Sequence, residues 1–294
     1  MDIRQLRFLT SLARERHFAR AADAVGISQP TLSARIKQLE EELGVAIVER
    51  GHRFKGFTAE GERVLRWAQR ILADCDALGQ ELAAARGALG GTIRIGAIPS
   101  ALPATPQLTV PFHQAHPDVL IDVRSMSSIE IQRGLESFDL HAGITYLDNE
   151  PLQHVLAKKL FDERYVLVRK AGNGASNDAA SQAVTWLQAA DMPLCLLSHE
   201  MQNRRIIDAV FARVGAIAKP IVETNSISAL YAHLLNSDLA TILPDNHLAL
   251  LPRGTLEMAP LIEPTASQPV GLVVLNNEPM PALVRALWQI QGDN

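Results

Sequence analysis

Gln29, Thr31, Ser33, Arg35, Lys37 and Gln38 fall within one short stretch of this 294-residue chain. Amides, hydroxyls and a guanidinium group can meet base edges in a major groove, and Arg and Lys hold phosphates. Arg50, Arg53 and Lys55 follow, on a stretch punctuated by Gly51 and Gly56. They suit a backbone or minor-groove contact. A second set of hydroxyls and amides stands directly after apolar runs. It comprises Pro99-Ser100-Ala101, Ser127-Ser128, Thr145-Tyr146, Gln202-Asn203 (within Leu197 to Arg204) and Asn225-Ser226. If those runs are strands of an α/β sheet, these residues lie where small ligands settle, beyond the carboxyl ends of strands and at anion-attracting helix N-termini. Each such hydroxyl is equally well placed to be a plain helix N-cap.

The first set needs a helix. Leu32, Ile36, Leu39 and Leu43 recur at spacings of 4, 3 and 4 and define one buried face of a helix from Gln29 to Glu41. The polar, cationic residues then share the other face, with Ser28 as N-cap and Pro30 near the first position, both within reach of DNA. Gly26 lets the chain turn. Before it, Ala19, Ala21, Ala22 and Val25 form the tight face of a shorter helix. Residues 2–15 predict another helix, with Ile3, Leu6, Leu9, Leu12 and Ala13 inward and Arg4 and Arg7 outward. A helical hairpin with a merely solvated basic face would show the same periodicity. The basic, Gly-bounded stretch after it favours a helix-turn-helix with a wing.

Thr58 to Arg86 reads as one long helix capped by Thr58, with Gly61 tolerated near its start rather than helpful. Val64, Ala68, Ile71, Cys75, Leu78, Leu82 and Ala85 recur at 4, 3, 4, 3, 4 and 3, a heptad seam. Such a helix spans roughly 43 Å and cannot cover its own stripe. The simplest cover is the same helix of a second copy, which would hold two recognition helices apart for a two-part operator. Cys75, in mid-seam, reads as a small apolar residue, with a redox contact to its symmetry mate as the alternative.

Gly87, Gly90 and Gly91 mark a boundary. From Thr92 onward, helix-like stretches (Gln107–His116, Ile129–Glu136) alternate with strand-like runs. The runs are Thr92–Ile98, Leu120–Val123, His141–Tyr146, Tyr165–Val168, Leu194–Leu197, Ile221–Glu223, Leu239–Leu243 and Val270–Leu275. That alternation predicts parallel α/β units, better divided between two small sheets than gathered in one.

Composition narrows the function. The apolar fraction is 47% and the charged fraction 20%, those of a globular protein. No apolar run approaches the roughly 20 residues of a membrane helix, and Met-Asp-Ile-Arg-Gln lacks a signal-peptide core. Two cysteines, Cys75 and Cys195, make no disulfide framework, so a cytoplasmic protein is expected. Residues 1–56 hold ten Lys/Arg and seven Asp/Glu, a net +3 that leaves −7 of the overall −4 on the remainder. A cationic head on an acidic body is expected when one end meets DNA. There is no phosphate-binding Gly loop, no nucleophile elbow and no metal cluster in the sequence. His113 and His116, three apart beside Pro111 and Pro117, read as a solvated helix end, so no enzyme and no cofactor are expected. A transporter's solute-binding protein predicts a signal sequence and no DNA-binding head. A purely architectural DNA binder leaves the α/β body unexplained.

Residues 1 to about 87 resemble the winged helix-turn-helix and linker helix of LysR-type transcriptional regulators. The resemblance rests on Leu6, Phe8, Phe18, Ala21, Ala22, Ser28, Gln29, Pro30, Ser33, Ile36, Leu39, Glu40, Leu43, Gly44, Arg50, Thr58, Gly61 and Leu65. Ile47-Val48-Glu49, where the family is usually more aromatic, and Phe57 depart from the pattern. Thr92–Asn294 resembles the same family's effector domain. The resemblance implies an all-α winged helix-turn-helix head (1–57), a linker helix and hinge (58–91) and an α/β effector domain (92–294). That domain would be two Rossmann-like subdomains of the type-2 periplasmic-binding-protein fold, 92–162 plus 267–294, and 163–266. The chain would cross between them near Phe161–Arg164 and Thr265–Gln268.

It further implies an operator in double-stranded DNA, a homodimer through the linker helix, a homotetramer through the effector domains, and RNA polymerase as a candidate partner. The effector would lie between the subdomains, with Ser100, Ser128, Thr145 and Gln202 as its first contacts. Those residues offer neutral donors, with Arg204 the one nearby cation or else only a solvated helix residue, so a small carboxylate or similar anion is expected. Ala13–Arg20 and Thr145–Pro151 are similar to a branch of the family associated with formate and one-carbon genes.

Overall fold

The computed structural model describes residues 1–49, 54–87, 89–171, 182–250 and 255–290, of which 248–250 by their backbone only. They form two compact units, Met1–Leu89 and Gly90–Asn294.

In the first unit, α1 (Ile3–Glu15), α2 (Phe18–Ala24) and α3 (Gln29–Leu43) precede the long α4 (Ala59–Ala85). Asp2 and Gln5 close a capping box on α1. Leu6, Leu9 and Leu12 of α1 bury against Ala21, Ala22, Leu32, Ile36 and Leu39. A leucine buried this completely contributes about 1.5–3 kcal/mol. Ser28 caps α3, and Gly44 ends it in the left-handed region at φ 69°. Val48 then pairs antiparallel with Phe57, the root of the wing. Glu40 of α3 secures that root, its Oε1 accepting from the Ile47 amide at 2.6 Å and the Val48 amide at 2.9 Å.

Thr58 caps α4, its Oγ1 accepting from the Gly61 amide at 2.9 Å. The reading of Gly61 as merely tolerated is corrected. A Cβ at Gly61 would stand 2.0 Å from the Ile47 carbonyl oxygen, so helix and wing root meet backbone to backbone there. The heptad seam divides in two. Ala68 is buried, and Val64 and Ile71 pack on the same core, because the first turns of α4 lie against α1. Cys75, Leu78, Leu82 and Ala85 are exposed. Packing on its own chain thus covers the first half of the stripe.

The second unit contains β1 (Gly91–Ala97), a 3-10 segment (Pro99–Ala104), α5 (Pro106–Ala115), β2 (Val119–Ser125), α6 (Ser128–Glu136) and β3 (Ala142–Tyr146). There follow β4 (Val155–Lys170), β5 (Val184–Thr185), α7 (Trp186–Ala190), β6 (Leu194–Leu197), α8 (Gln202–Arg213), β7 (Pro220–Thr224) and α9 (Ile227–Asn236). Last come β8 (Ala240–Pro244), a second 3-10 segment (Asp245–Leu250), β9 (Leu256–Ile262), β10 (Ser267–Leu275) and α10 (Ala282–Ile290). Strand order is β2-β1-β3-β10-β4-β8-β6-β7, with β9 on β4 and β5.

The expectation of purely parallel units is corrected. β1 pairs parallel with β2 and β3, and β6 with β7 and β8, but β4 and β10 run antiparallel to their neighbours. The cause is β4, expected only at Tyr165–Val168. It pairs with β10 from Leu275↔Val155 to Ser267↔Arg164, then with β8 from Tyr165↔Pro244 onward. One strand therefore runs through both halves of a ten-stranded sheet. Its first half hides in the sequence because Lys158, Lys159, Asp162, Glu163 and Arg164 interrupt its apolar pattern. β9 was likewise missed.

Candidate nucleic-acid interface and effector cleft

Leu32, Ile36 and Leu39 face the core, so the period of α3 turns Gln29, Pro30, Thr31, Ser33, Arg35, Lys37 and Gln38 to solvent, and all are exposed. Ser28, also exposed, gives its hydroxyl to capping: Oγ accepts from the Thr31 amide at 3.3 Å and lies 2.8 Å from Thr31 Oγ1. Arg35 donates to Gln38 Oε1 at 3.1 Å, Gln38 donates to Glu42 Oε1 at 2.9 Å, and Lys37 pairs with Glu41 at 3.6 Å. These exposed contacts are worth a few tenths of a kcal/mol each and yield readily to a base or phosphate. Lys55 is exposed at the wing root. Arg50 and Arg53 lie outside the described residues. Arg4 and Arg7 are exposed on α1.

In the second unit, Pro99, Ser100, Ser127, Ser128, Tyr146, Gln202 and Asn203 line one cleft, together with Ile98, Leu197 and Met201. It holds about 260 Å³, counting space open to solvent. Ile98 and Pro99 follow β1, Tyr146 ends β3, and Leu197 ends β6. Ser127 and Ser128 open the nine-residue α6, and Met201 to Asn203 open the twelve-residue α8. Two helix N-termini, one from each half of the sheet, therefore face one cavity. Gly134 lets α6 sit close, since a Cβ there would come 2.7 Å from Leu140 Cδ1.

Ser100, Tyr146 and Asn203 are buried and joined. Tyr146 Oη lies 3.0 Å from Ser100 Oγ and accepts from Asn203 Nδ2 at 2.9 Å. Gln202 donates to the Asn149 carbonyl. Gln202 Oε1 and Asn203 Oδ1 are buried without a partner. Ser127 Oγ caps α6 at the Glu130 amide, and Glu130 reaches back to the Ser127 amide at 2.7 Å. Ser100 is also held from behind. Its carbonyl accepts from Asn246 Nδ2 at 3.0 Å and lies 3.1 Å from His247 Nε2, both on the second 3-10 segment. Burial lowers the His247 pKa to about 4, so it is a neutral ring that also meets Tyr231 Oη at 2.9 Å.

The remaining candidates stand outside the cleft. Ala101 is fully buried beside it. Thr145 is buried, and strand alternation turns it away from the face that Tyr146 shows to the cleft. Asn225 and Ser226 are exposed, and Ser226 caps α9 at the Ala229 amide. Arg204 is neither solvated nor turned to a ligand. It is 2% exposed and binds Asp208 at 2.9 Å, Glu223 at 2.6 Å and the Leu197 carbonyl at 2.9 Å. Sequence reasoning missed Ile98 and, behind Tyr146, Glu163, whose only signal is a carboxylate inside a strand. His113 and His116 join no metal cluster, and none is found among the described residues.

Residues 3–62 match the bacterial regulatory helix-turn-helix protein, lysR family, and residues 86–293 match the LysR substrate binding domain. The DNA-binding transcriptional dual regulator OxyR of Escherichia coli K12 is 30% identical over 285 residues, covering 95% of this chain and 91% of that protein. Full-length OxyR from Pseudomonas aeruginosa, solved as a point variant, superposes with a TM-score of 0.77 at 26% identity, covering 99% of this chain and 94% of that one. CbnR, solved in complex with its target DNA, shares the fold at a TM-score of 0.68 and 20% identity, covering 99% and 98%. The chain belongs to the LysR family: it is a DNA-binding transcriptional regulator with an effector-binding domain, and not an enzyme.

Proposed function

We propose that the effector is a small carboxylate or another anion, formate-like in size, held in the cleft between two subdomains by Ser100, Ser128, Tyr146, Gln202 and Asn203. The observation that carries this reading is the meeting of the α6 and α8 N-termini at one cavity. Free backbone N–H groups and the helix dipole favour negative charge there, with no cation required. The subdomains in this reading are 92–162 plus 267–294, and 163–266. Residues 1–57 bind the operator through the exposed face of α3 and the wing. Residues 58–91 join two copies through the exposed half of the α4 seam. A homotetramer in the cytoplasm, in contact with RNA polymerase, completes the proposal.

Several relatives are named hydrogen peroxide-inducible genes activators. A peroxide-reactive thiolate needs exposure and a lowered pKa. Cys195 is fully buried on β6, and burial pushes its thiol up. That favours a bound metabolite over thiol chemistry in the effector domain.

The test is a thermal-shift screen of the full chain against formate and larger carboxylates, with phosphate and sulfate as further anions. A ligand of the folded state raises the midpoint in proportion to the logarithm of its concentration over Kd. A rise that keeps growing with the logarithm of ligand concentration, lost in Ser100→Leu while operator binding persists, is the expected result. No rise with any anion sinks the proposal.

A further inference from the structure

The cleft has a second layer. Glu163 sits on β4, two residues before Tyr165, where pairing passes from β10 to β8, and is 0% exposed. Its Oε1 lies 2.5 Å from Tyr146 Oη, which lies 3.0 Å from Ser100 Oγ. Tyr146 and Ser100 line the cleft and Glu163 does not. A single hydrogen-bond chain thus runs from a buried carboxylate to the cleft wall.

Each hydroxyl has one proton to give. With Glu163 ionised, Tyr146 donates to it. Tyr146 Oη then accepts from Asn203 and Ser100, and neither hydroxyl of the chain is left to donate into the cleft. With Glu163 protonated, the acid donates to Tyr146, Tyr146 donates to Ser100 Oγ, and the Ser100 hydrogen turns toward the cleft. The same proton removes a buried negative charge from behind any anion bound there.

We infer that binding of an anion in the cleft takes up one proton from water onto Glu163, and that this proton reverses the Glu163–Tyr146–Ser100 chain toward the ligand. The inference rests on the anion reading above and adds to it a proton-linked specificity residue. The groups facing Glu163 allow it to titrate in the required range. Burial is the main influence, and the Asp245 charge acts in the same direction. Against them work the hydroxyls of Tyr146, Ser100 and Tyr165, leaving Glu163 at about 7. His247, which holds the Ser100 carbonyl, stays neutral above about 4 and does not compete.

Formate remains ionised across neutral pH and is the probe. It is titrated calorimetrically into the full chain at about pH 6 and about pH 8, each in two buffers of different ionisation heat. The expected result is binding about tenfold weaker at the higher pH, with about one proton taken up there. In Glu163→Gln the amide donates to Tyr146 permanently, so formate binds equally at both pH values and without proton uptake. Equal affinity at both pH values in the unaltered protein, with no proton taken up, overturns the inference and leaves the anion reading standing. Failure of formate, the larger carboxylates, phosphate and sulfate alike to bind at either pH overturns both. The two-buffer measurement on the unaltered protein decides the matter even if the variant folds poorly.

Discussion

Tyr146 Oη and Glu163 Oε1 lie 2.5 Å apart, with no exposure at the carboxylate, where β4 passes from one half of the effector domain to the other. Burial chiefly favours the acid form of a carboxyl in that position, with the Asp245 charge adding to it, while the neighbouring hydroxyls act against both. The ligand wall and the crossing strand are therefore chemically one unit.

Stability should report the same group. Glu163 is raised from the ordinary carboxylate value to about 7 in the folded state. Its contribution is fully present below the ordinary value and is lost as pH rises through about 7. Relative to the native chain, Glu163→Gln should therefore gain stability between about pH 5 and about pH 8, by up to about 3 kcal/mol. Urea unfolding of both proteins across that range checks it, and a pH-independent difference contradicts it.

Gly61→Ala should destabilise the head by about 2–3 kcal/mol. The new Cβ would meet the Ile47 carbonyl, which is backbone, so relief requires α4 to move off the wing root. Thermal melts of the full chain should show the head's transition lowered, with operator binding weakened. An unchanged melt would mean that the close approach is relieved at little cost.

Arg35→Ala and Lys55→Ala should separate base reading from backbone holding. Loss of Arg35, exposed on α3, should cost about 1–3 kcal/mol with the operator and much less with unrelated DNA. Loss of Lys55 should weaken both alike and reduce the slope of log affinity against log salt by about 1. Fluorescence anisotropy over a salt series makes the distinction. Equal losses of Arg35 affinity on both DNAs would reassign it to a phosphate.

Leu78→Asp and Leu82→Asp should split the oligomer without unfolding the head. These side chains are 62% and 55% exposed on α4. Light scattering should give a smaller species for either variant, with the head's melt retained. An oligomer of unchanged mass would move the self-contact elsewhere.

The recognition helix was legible in the sequence down to its caps, because a helix contact is local. Ser28, Pro30, the 4-3-4 apolar spacing and Gly44 act within a few residues of one another, and period alone turns Gln29, Thr31 and Arg35 outward. The polar residues of the cleft were mostly legible too, since Ser100, Tyr146 and Gln202 each follow a strand or open a helix. What sequence could not supply was contact across long separations. Glu163 fell in the crossing expected near Phe161–Arg164, and only pairing with β10 showed that it is buried. Arg204 looked like a ligand's cation until Asp208 and Glu223 took it. Gly61 looked neutral until Ile47 came within reach. Thr145 and Ser226 had the right residue type in the right kind of place, but strand alternation turns Thr145 away from the cleft and exposed Ser226 spends its hydroxyl on the α9 cap. Local propensity determined the helices of the head and most strands of the body, though not the first half of β4 or β9. Which polar groups share one cavity, and which spend their hydrogen bonds on the fold, was decided by how the tertiary structure brings distant strands and helix ends together.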